Sequence, residues 1–125
     1  LRKECCRVRK LVPLKNALHG YGAWISGIRI AQSITRNETK LLEYDEMFHL
    51  LKLNPIAFFS DEDVEQYIKE NDIPSNSLYA KGFKSIGCQP CSRAIQEGED
   101  IRAGRWWWEN PEHKECGLHV NTKFK

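Results

Sequence analysis

Cysteine spacing constrains this chain more than any other feature. Cys5 and Cys6 are adjacent near the start, and Cys88 and Cys91 bracket Gln89-Pro90. Cys116 stands by itself in Glu115-Cys116-Gly117-Leu118-His119. Four thiolates can hold one metal centre, which leaves the fifth for chemistry. An odd count argues against a complete disulfide framework. With 125 residues the chain is one domain's worth of protein and does not need disulfide staples. No secretory signal is visible. A reducing, cytoplasmic setting with a metal-bound cysteine set is therefore the expectation. The first residue is Leu1, and the chain reads as a fragment whose N-terminal portion is missing.

A Cys-x-x-Cys loop is a chelating unit because its spacing lets both sulfurs converge on one centre. By itself it is ambiguous among zinc, an iron–sulfur cluster and a redox disulfide. Adjacent cysteines discriminate better. Neighbouring side chains diverge, so one zinc ion rarely takes both, whereas a cubane cluster offers them separate iron corners. Cys5, Cys6, Cys88 and Cys91 thus suit a 4Fe-4S cluster, and an unligated pair plus a redox Cys-x-x-Cys stays open. Lys10 lies four residues after Cys6, one helical turn along the same face. A cation there would offset the charge of four thiolates, although an exposed lysine fits the pattern equally. A reactive thiol needs a lowered pKa, and His119 and Lys114 lie close to Cys116 in sequence.

Charge supports an anionic ligand. The net charge is only +2, but Arg2, Lys3, Arg7, Arg9, Lys10 and Lys15 crowd the first cysteine pair, and Arg93, Arg102 and Arg105 follow the second. Guanidinium groups grip sulfate and phosphate oxygens in bidentate fashion. Arg102, Arg105 and Arg36 together suit an ester carrying both groups; surface ion pairs with Glu99 or Asp100 are the plainer reading of the first two. The 17 acidic residues are interspersed, so no continuous basic stripe marks a nucleic-acid surface. A metal-stabilised nucleic-acid-binding module nevertheless stays open as a different class of function. No apolar run reaches the ~18 residues of a membrane span. Trp106-Trp107-Trp108 suits packing better than ligand stacking.

Local pattern predicts a short helix over Arg2–Lys10 and a restart at Pro13, because Val12 before proline is pushed away from helix. Ala23–Ile30 reads as a buried strand, 32–40 as a loop and His49–Leu53 as a strand stopped by Asn54-Pro55. Glu43–Phe48 is left open. The clearest element is a helix over Asp61–Glu70, with Ser60 as N-cap and Val64, Tyr67 and Ile68 as its apolar stripe. Residues 85–93 read as a loop.

These motifs resemble those of the assimilatory adenylylsulfate reductases, relatives of phosphoadenylylsulfate reductase. The matching strings are Lys3-Glu4-Cys5-Cys6-Arg7-Val8-Arg9-Lys10, Gly27-Ile28-Arg29-Ile30-Ala31-Gln32-Ser33-Ile34-Thr35-Arg36, Lys52-Leu53-Asn54-Pro55, Ser85-Ile86-Gly87-Cys88-Gln89-Pro90-Cys91, residues 98–109 and Lys114-Glu115-Cys116-Gly117-Leu118-His119. The resemblance implies an α/β fold of the Rossmann-like adenine nucleotide α-hydrolase type. Residues 1–108 would be the C-terminal part of the reductase domain with the cluster site, and 109–125 a flexible tail. It implies thiol-dependent reduction of adenosine 5′-phosphosulfate to sulfite and AMP. Cys116 would be the nucleophile, Cys5, Cys6, Cys88 and Cys91 the cluster ligands, and Lys10 the lysine beside the cluster. Arg36, Arg102, Arg105 and His119 would contact substrate. Thioredoxin or glutaredoxin would be the electron donor, expected as a separate protein because no such domain follows Lys125.

The family's N-terminal Ser-Gly-Gly-rich pyrophosphate loop is absent, so the fragment by itself is expected to be inactive. Phe59 and Glu65 stand where tryptophan is common. A phosphoadenylylsulfate reductase is the alternative within the family, although the two cysteine pairs favour the non-phosphorylated substrate. Neither nucleic acid nor membrane is an expected partner on this reading, and a homo-oligomer stays open.

Overall fold

The computed structural model describes residues 1–110, 114 and 117–119. The chain divides into two compact units, described here one at a time. The first contains Leu1–Ile28 and Glu38–Ala57, together with Gly117, Leu118 and His119. The second contains Arg29–Asn37, residues 58–110 and Lys114.

The first unit opens with a continuous helical run. It consists of α1 (Arg2–Cys6), a π-helical turn (Arg7–Leu11) and α2 (Val12–Leu18). The expected break at Pro13 does not occur. Proline has no N–H to donate and its ring crowds the carbonyl four residues back. The widened turn just before Pro13 absorbs that defect, as π-turns inside helices can. Gly20, at φ 87°, turns the chain toward the sheet.

That sheet has three strands, β1 (Ala23–Ile25), β2 (Leu42–Asp45) and β3 (Leu50–Leu53), in the order β1-β3-β2. β1 pairs parallel to β3, and β2 pairs antiparallel to it. With helices this makes an α/β unit. Trp24 and Glu43 both register on Lys52, so these three side chains share one face. The opposite face carries Ile25, Leu42, Tyr44 and Leu51, all exposed. The expected buried strand over Ala23–Ile30 is thus corrected. Only Ala23–Ile25 is strand, Ile25 is 71% exposed, and burial begins at Ser26 and Ile28.

Asn54 explains why β3 stops where it does. It is fully buried, its Oδ1 accepts the Ser26 hydroxyl at 2.5 Å, and its Nδ2 donates to the Lys40 carbonyl at 2.8 Å. Its own N–H donates to the Leu41 carbonyl at 2.8 Å. One side chain therefore ties together the segments following β1, preceding β2 and following β3.

In the second unit, α3 (Asp61–Glu70) has the bounds expected from sequence. The Ser60 hydroxyl accepts the Asp63 N–H at 3.0 Å, and the Asp63 carboxylate accepts the Ser60 N–H at 2.8 Å. This reciprocal cap satisfies two otherwise orphaned donors. Arg29 fastens the start of the helix, donating to the Phe59 carbonyl at 3.1 Å and to Asp61 at 2.7 Å. The expected loop over 32–40 contains a 3-10 turn, Ile34–Arg36, after a first one at Ile30–Gln32. The rest of the unit is loops and short turns. Among the described residues no helix is long and apolar enough to cross a membrane.

Candidate functional site

The second cysteine pair sits on a tightly wired loop. Gln89–Cys91 is one 3-10 turn, with Pro90 inside it and the Cys91 N–H donating to the Cys88 carbonyl at 2.9 Å. Ser92 closes the loop. Its hydroxyl accepts the Gly87 N–H at 2.9 Å and donates to the Cys88 carbonyl at 3.1 Å. The chain then pairs with the arginine segment that follows. Arg93 N–H donates to the Gly104 carbonyl at 3.0 Å, Ser92 bridges Arg105, and Trp106 N–H donates to the Cys91 carbonyl at 3.3 Å. Gly104 has no room for a side chain, because a Cβ there would run into the Arg93 carbonyl.

Arg105 is buried in this wiring. Its guanidinium lies against Gly87, where a Cβ would overlap it, and donates to the Ile86 carbonyl at 3.1 Å. It also sits 4.3 Å from the centre of the Trp106 ring, which is only 1% exposed. Its Nε has no hydrogen-bond partner among the described residues. Among the described residues its contacts are a carbonyl and a ring, and a buried guanidinium of this kind is suited to an anionic group.

Arg102 and Lys114 are buried beside each other. An Arg102 terminal nitrogen donates to the Lys114 carbonyl, and the Lys114 ammonium lies 3.4 Å from the Ala103 carbonyl. The plainer reading of these arginines as ion pairs with Glu99 or Asp100 is set aside for Glu99. Arg93 takes that carboxylate at 2.8 and 2.9 Å. The Arg93 hydrogen bond, the Gln96 N–H and the charge of Lys114 together hold the Glu99 pKa down at about 2. Asp100 instead accepts the Arg102 backbone N–H at 2.8 Å. Arg36 is buried in the same unit and donates to Gln32 at 2.5 Å. Trp106 is packing, as expected, but Trp107 and Trp108 are exposed and meet edge to face at 4.7 Å.

The first unit carries the other cysteine pair. Cys5 is exposed and Cys6 buried, both on α1, and Lys10 follows half-buried in the π-turn. Among the described residues no disulfide involves Cys5, Cys6, Cys88 or Cys91. Among the described residues no three His, Cys, Asp or Glu side chains gather into a group that could hold a metal ion. By residue type alone, thiolates are the ligands that iron–sulfur clusters take.

His119 lies parallel to Trp24, with ring centres 5.8 Å apart and planes 6° from parallel. Cys116 lies outside the described residues. Sequence reasoning assigned no role to Trp24, Lys52 or Arg29. Lys52 is buried, paired with Glu43 at 2.9 Å and 5.5 Å from the Trp24 ring centre. Alternation does signal it, because Lys52 falls on the inward parity of β3, but a lysine there looks misplaced until Glu43 is seen opposite.

Comparison with known proteins comes to the same place. Residues 1–94 match the family described as the phosphoadenosine phosphosulfate reductase domain. The adenosine 5′-phosphosulfate reductase of Allochromatium vinosum is 56% identical over 118 residues, covering 94% of this chain and 46% of that protein. The protein of the same name from Burkholderia cepacia is 53% identical over 122 residues, covering 98% of this chain and 49% of that protein. The chain thus spans about half the length of these curated relatives. Among solved structures, phosphoadenylyl-sulfate (PAPS) reductase from Candida auris, in a phosphate complex, superposes with a TM-score of 0.59 at 30% identity. That match covers 67% of this chain and 40% of the other. With three quarters of its length matched, the chain belongs to the phosphoadenosine phosphosulfate reductase domain family.

Proposed function

We propose that this chain carries the sulfur-transfer half of a thiol-dependent reductase converting adenosine 5′-phosphosulfate to sulfite and AMP in sulfate assimilation. On this reading residues 1–108 are the C-terminal part of a Rossmann-like adenine nucleotide α-hydrolase domain, and 109–125 form the tail carrying the nucleophile. The observation that carries the reading is Arg105. It is a buried guanidinium that donates to a carbonyl, lies over the Trp106 ring and is wired to the Cys88–Cys91 loop, the kind of group that grips sulfate and phosphate oxygens. The names of the relatives support the same substrate class.

The chemistry then follows from the residues. The Cys116 thiolate attacks the substrate sulfur, an S–S bond forms, the S–O bond to the phosphate breaks, and AMP leaves with the bonding pair. Arg36, Arg102, Arg105 and His119 hold the sulfate and phosphate oxygens and stabilise the charge that builds on the departing phosphate. The product is a cysteine thiosulfonate. A thiolate of thioredoxin or glutaredoxin attacks the Cys116 sulfur and expels sulfite. The donor's second thiol then resolves the mixed disulfide, returning Cys116 and leaving an oxidised donor. This chemistry calls for a reducing, cytoplasmic setting, in which the donor's thiols stay reduced.

Cys5, Cys6, Cys88 and Cys91 would hold a 4Fe-4S cluster, with Lys10 beside it. Such a cluster supplies a fixed local charge that tunes the site. Replacing Cys116 with serine tests the central role. Sulfite formation should cease while substrate binding persists, and sulfite at an undiminished rate would remove the assignment. The PAPS reductase neighbour favours a second reading, the 3′-phosphorylated substrate. Competing the two nucleotides at equal concentration separates the readings.

A further inference from the structure

We infer that Trp24 is a positioning residue for the nucleophile: its indole face is the seat on which the tail is docked through His119. The inference rests on the reading of Cys116 as the nucleophile, and its geometry lies within the first unit.

Three observations carry it. His119, three residues after Cys116, lies parallel to Trp24 at 5.8 Å. Trp24 is itself held by packing and charge. Phe48 meets it edge-on at 5.8 Å, the Lys52 ammonium is 5.5 Å from its centre, and its indole N–H has no hydrogen-bond partner among the described residues. A ring fixed in this way offers a face as its means of recognition. Gly117, directly after Cys116, gives the second point of attachment. It adopts φ 89°, and a Cβ there would lie 3.5 Å from Leu11. A left-handed residue in van der Waals reach of the helical run holds the chain at Gly117. Lys52 is in turn fixed by Glu43, so the seat is built into the sheet.

The test compares Trp24→Ala, Trp24→Phe, His119→Ala and the double Ala variant in anaerobically prepared protein. Two rates are read by peptide mapping: iodoacetamide labelling of Cys116 and tryptic cleavage after Lys114. Losing a stacked ring pair should raise both by about twofold to tenfold. Trp24→Phe should restore them toward wild type, and the double variant should be no faster than either single one. In turnover the loss should fall on kcat, with KM for the nucleotide little changed in Trp24→Ala. Cleavage after Lys81 and Lys84, remote from the sheet in sequence, reports general unfolding and should stay constant. Unchanged labelling and cleavage in His119→Ala, with Trp24→Ala unchanged or unfolded, would overturn the proposal. Cys116→Ser keeps the two ideas apart. If it still makes sulfite, the nucleophile is elsewhere, whereas the cleavage rates judge the docking seat regardless.

Discussion

Replacing Gly87 with alanine places a methyl group where the Arg105 guanidinium now lies. Gly87 is not one of the glycines with left-handed φ, so its backbone accepts alanine and the guanidinium must move instead. Moving it breaks the 3.1 Å hydrogen bond to the Ile86 carbonyl and lifts the cation off Trp106. A hydrogen bond from a charged donor is worth about 1.5–3 kcal/mol. A desolvated cation–π contact adds up to about 2 kcal/mol. Rehydration of the displaced guanidinium returns part of this, because the charge is no longer buried, so a net loss of about 2 kcal/mol is expected. The assay is urea denaturation of Gly87→Ala, Arg105→Ala and the double variant. Both changes act through one guanidinium, so Gly87→Ala should cost less than about 0.5 kcal/mol once Arg105 is gone. Additive losses in the double variant would refute the reasoning.

Other expectations follow from the same wiring. Asn54→Ala leaves the buried Ser26 hydroxyl without its acceptor and the part-buried Lys40 carbonyl without its donor, and should cost about 2 kcal/mol in thermal or chemical denaturation. The folded pKa of Glu99, about 2, lies below its ordinary 4.5. Its ion pair therefore stabilises fully above the unfolded value and fades as pH falls toward about 2. The stability gap between wild type and Glu99→Gln should be constant near neutrality and narrow through that acid window. A gap independent of pH would contradict it. Anaerobically prepared protein should contain roughly four irons per chain with matching acid-labile sulfide, and zinc in their place would remove the cluster proposal.

Local chemistry was legible in the sequence wherever one short segment decides the outcome. Ser60 and Asp63 announce a reciprocal cap, and α3 begins and ends where they imply. Asn54-Pro55 announces the end of β3, although the reason proved to be the Asn54 side chain bonding two other segments. Elements decided by partners distant in sequence were not legible. Pro13 reads as a break because the compensating π-turn leaves no compositional mark. Ile25 reads as buried because alternation shows which residues share a face and not which face is covered. Within the candidate site, cysteine spacing and the two arginines were visible from residue type. The attachment of Arg105 to Gly87 and of His119 to Trp24 depends on chain crossings that no local pattern encodes.

The most direct test of the account is the mass of the Cys116 peptide after a single turnover with adenosine 5′-phosphosulfate and no added thiol, in a protein that carries this chain together with the other half its relatives have. The account predicts one added sulfo group on Cys116, released as sulfite when thioredoxin or glutaredoxin is supplied. An unmodified Cys116 in protein that has nonetheless released AMP would contradict it.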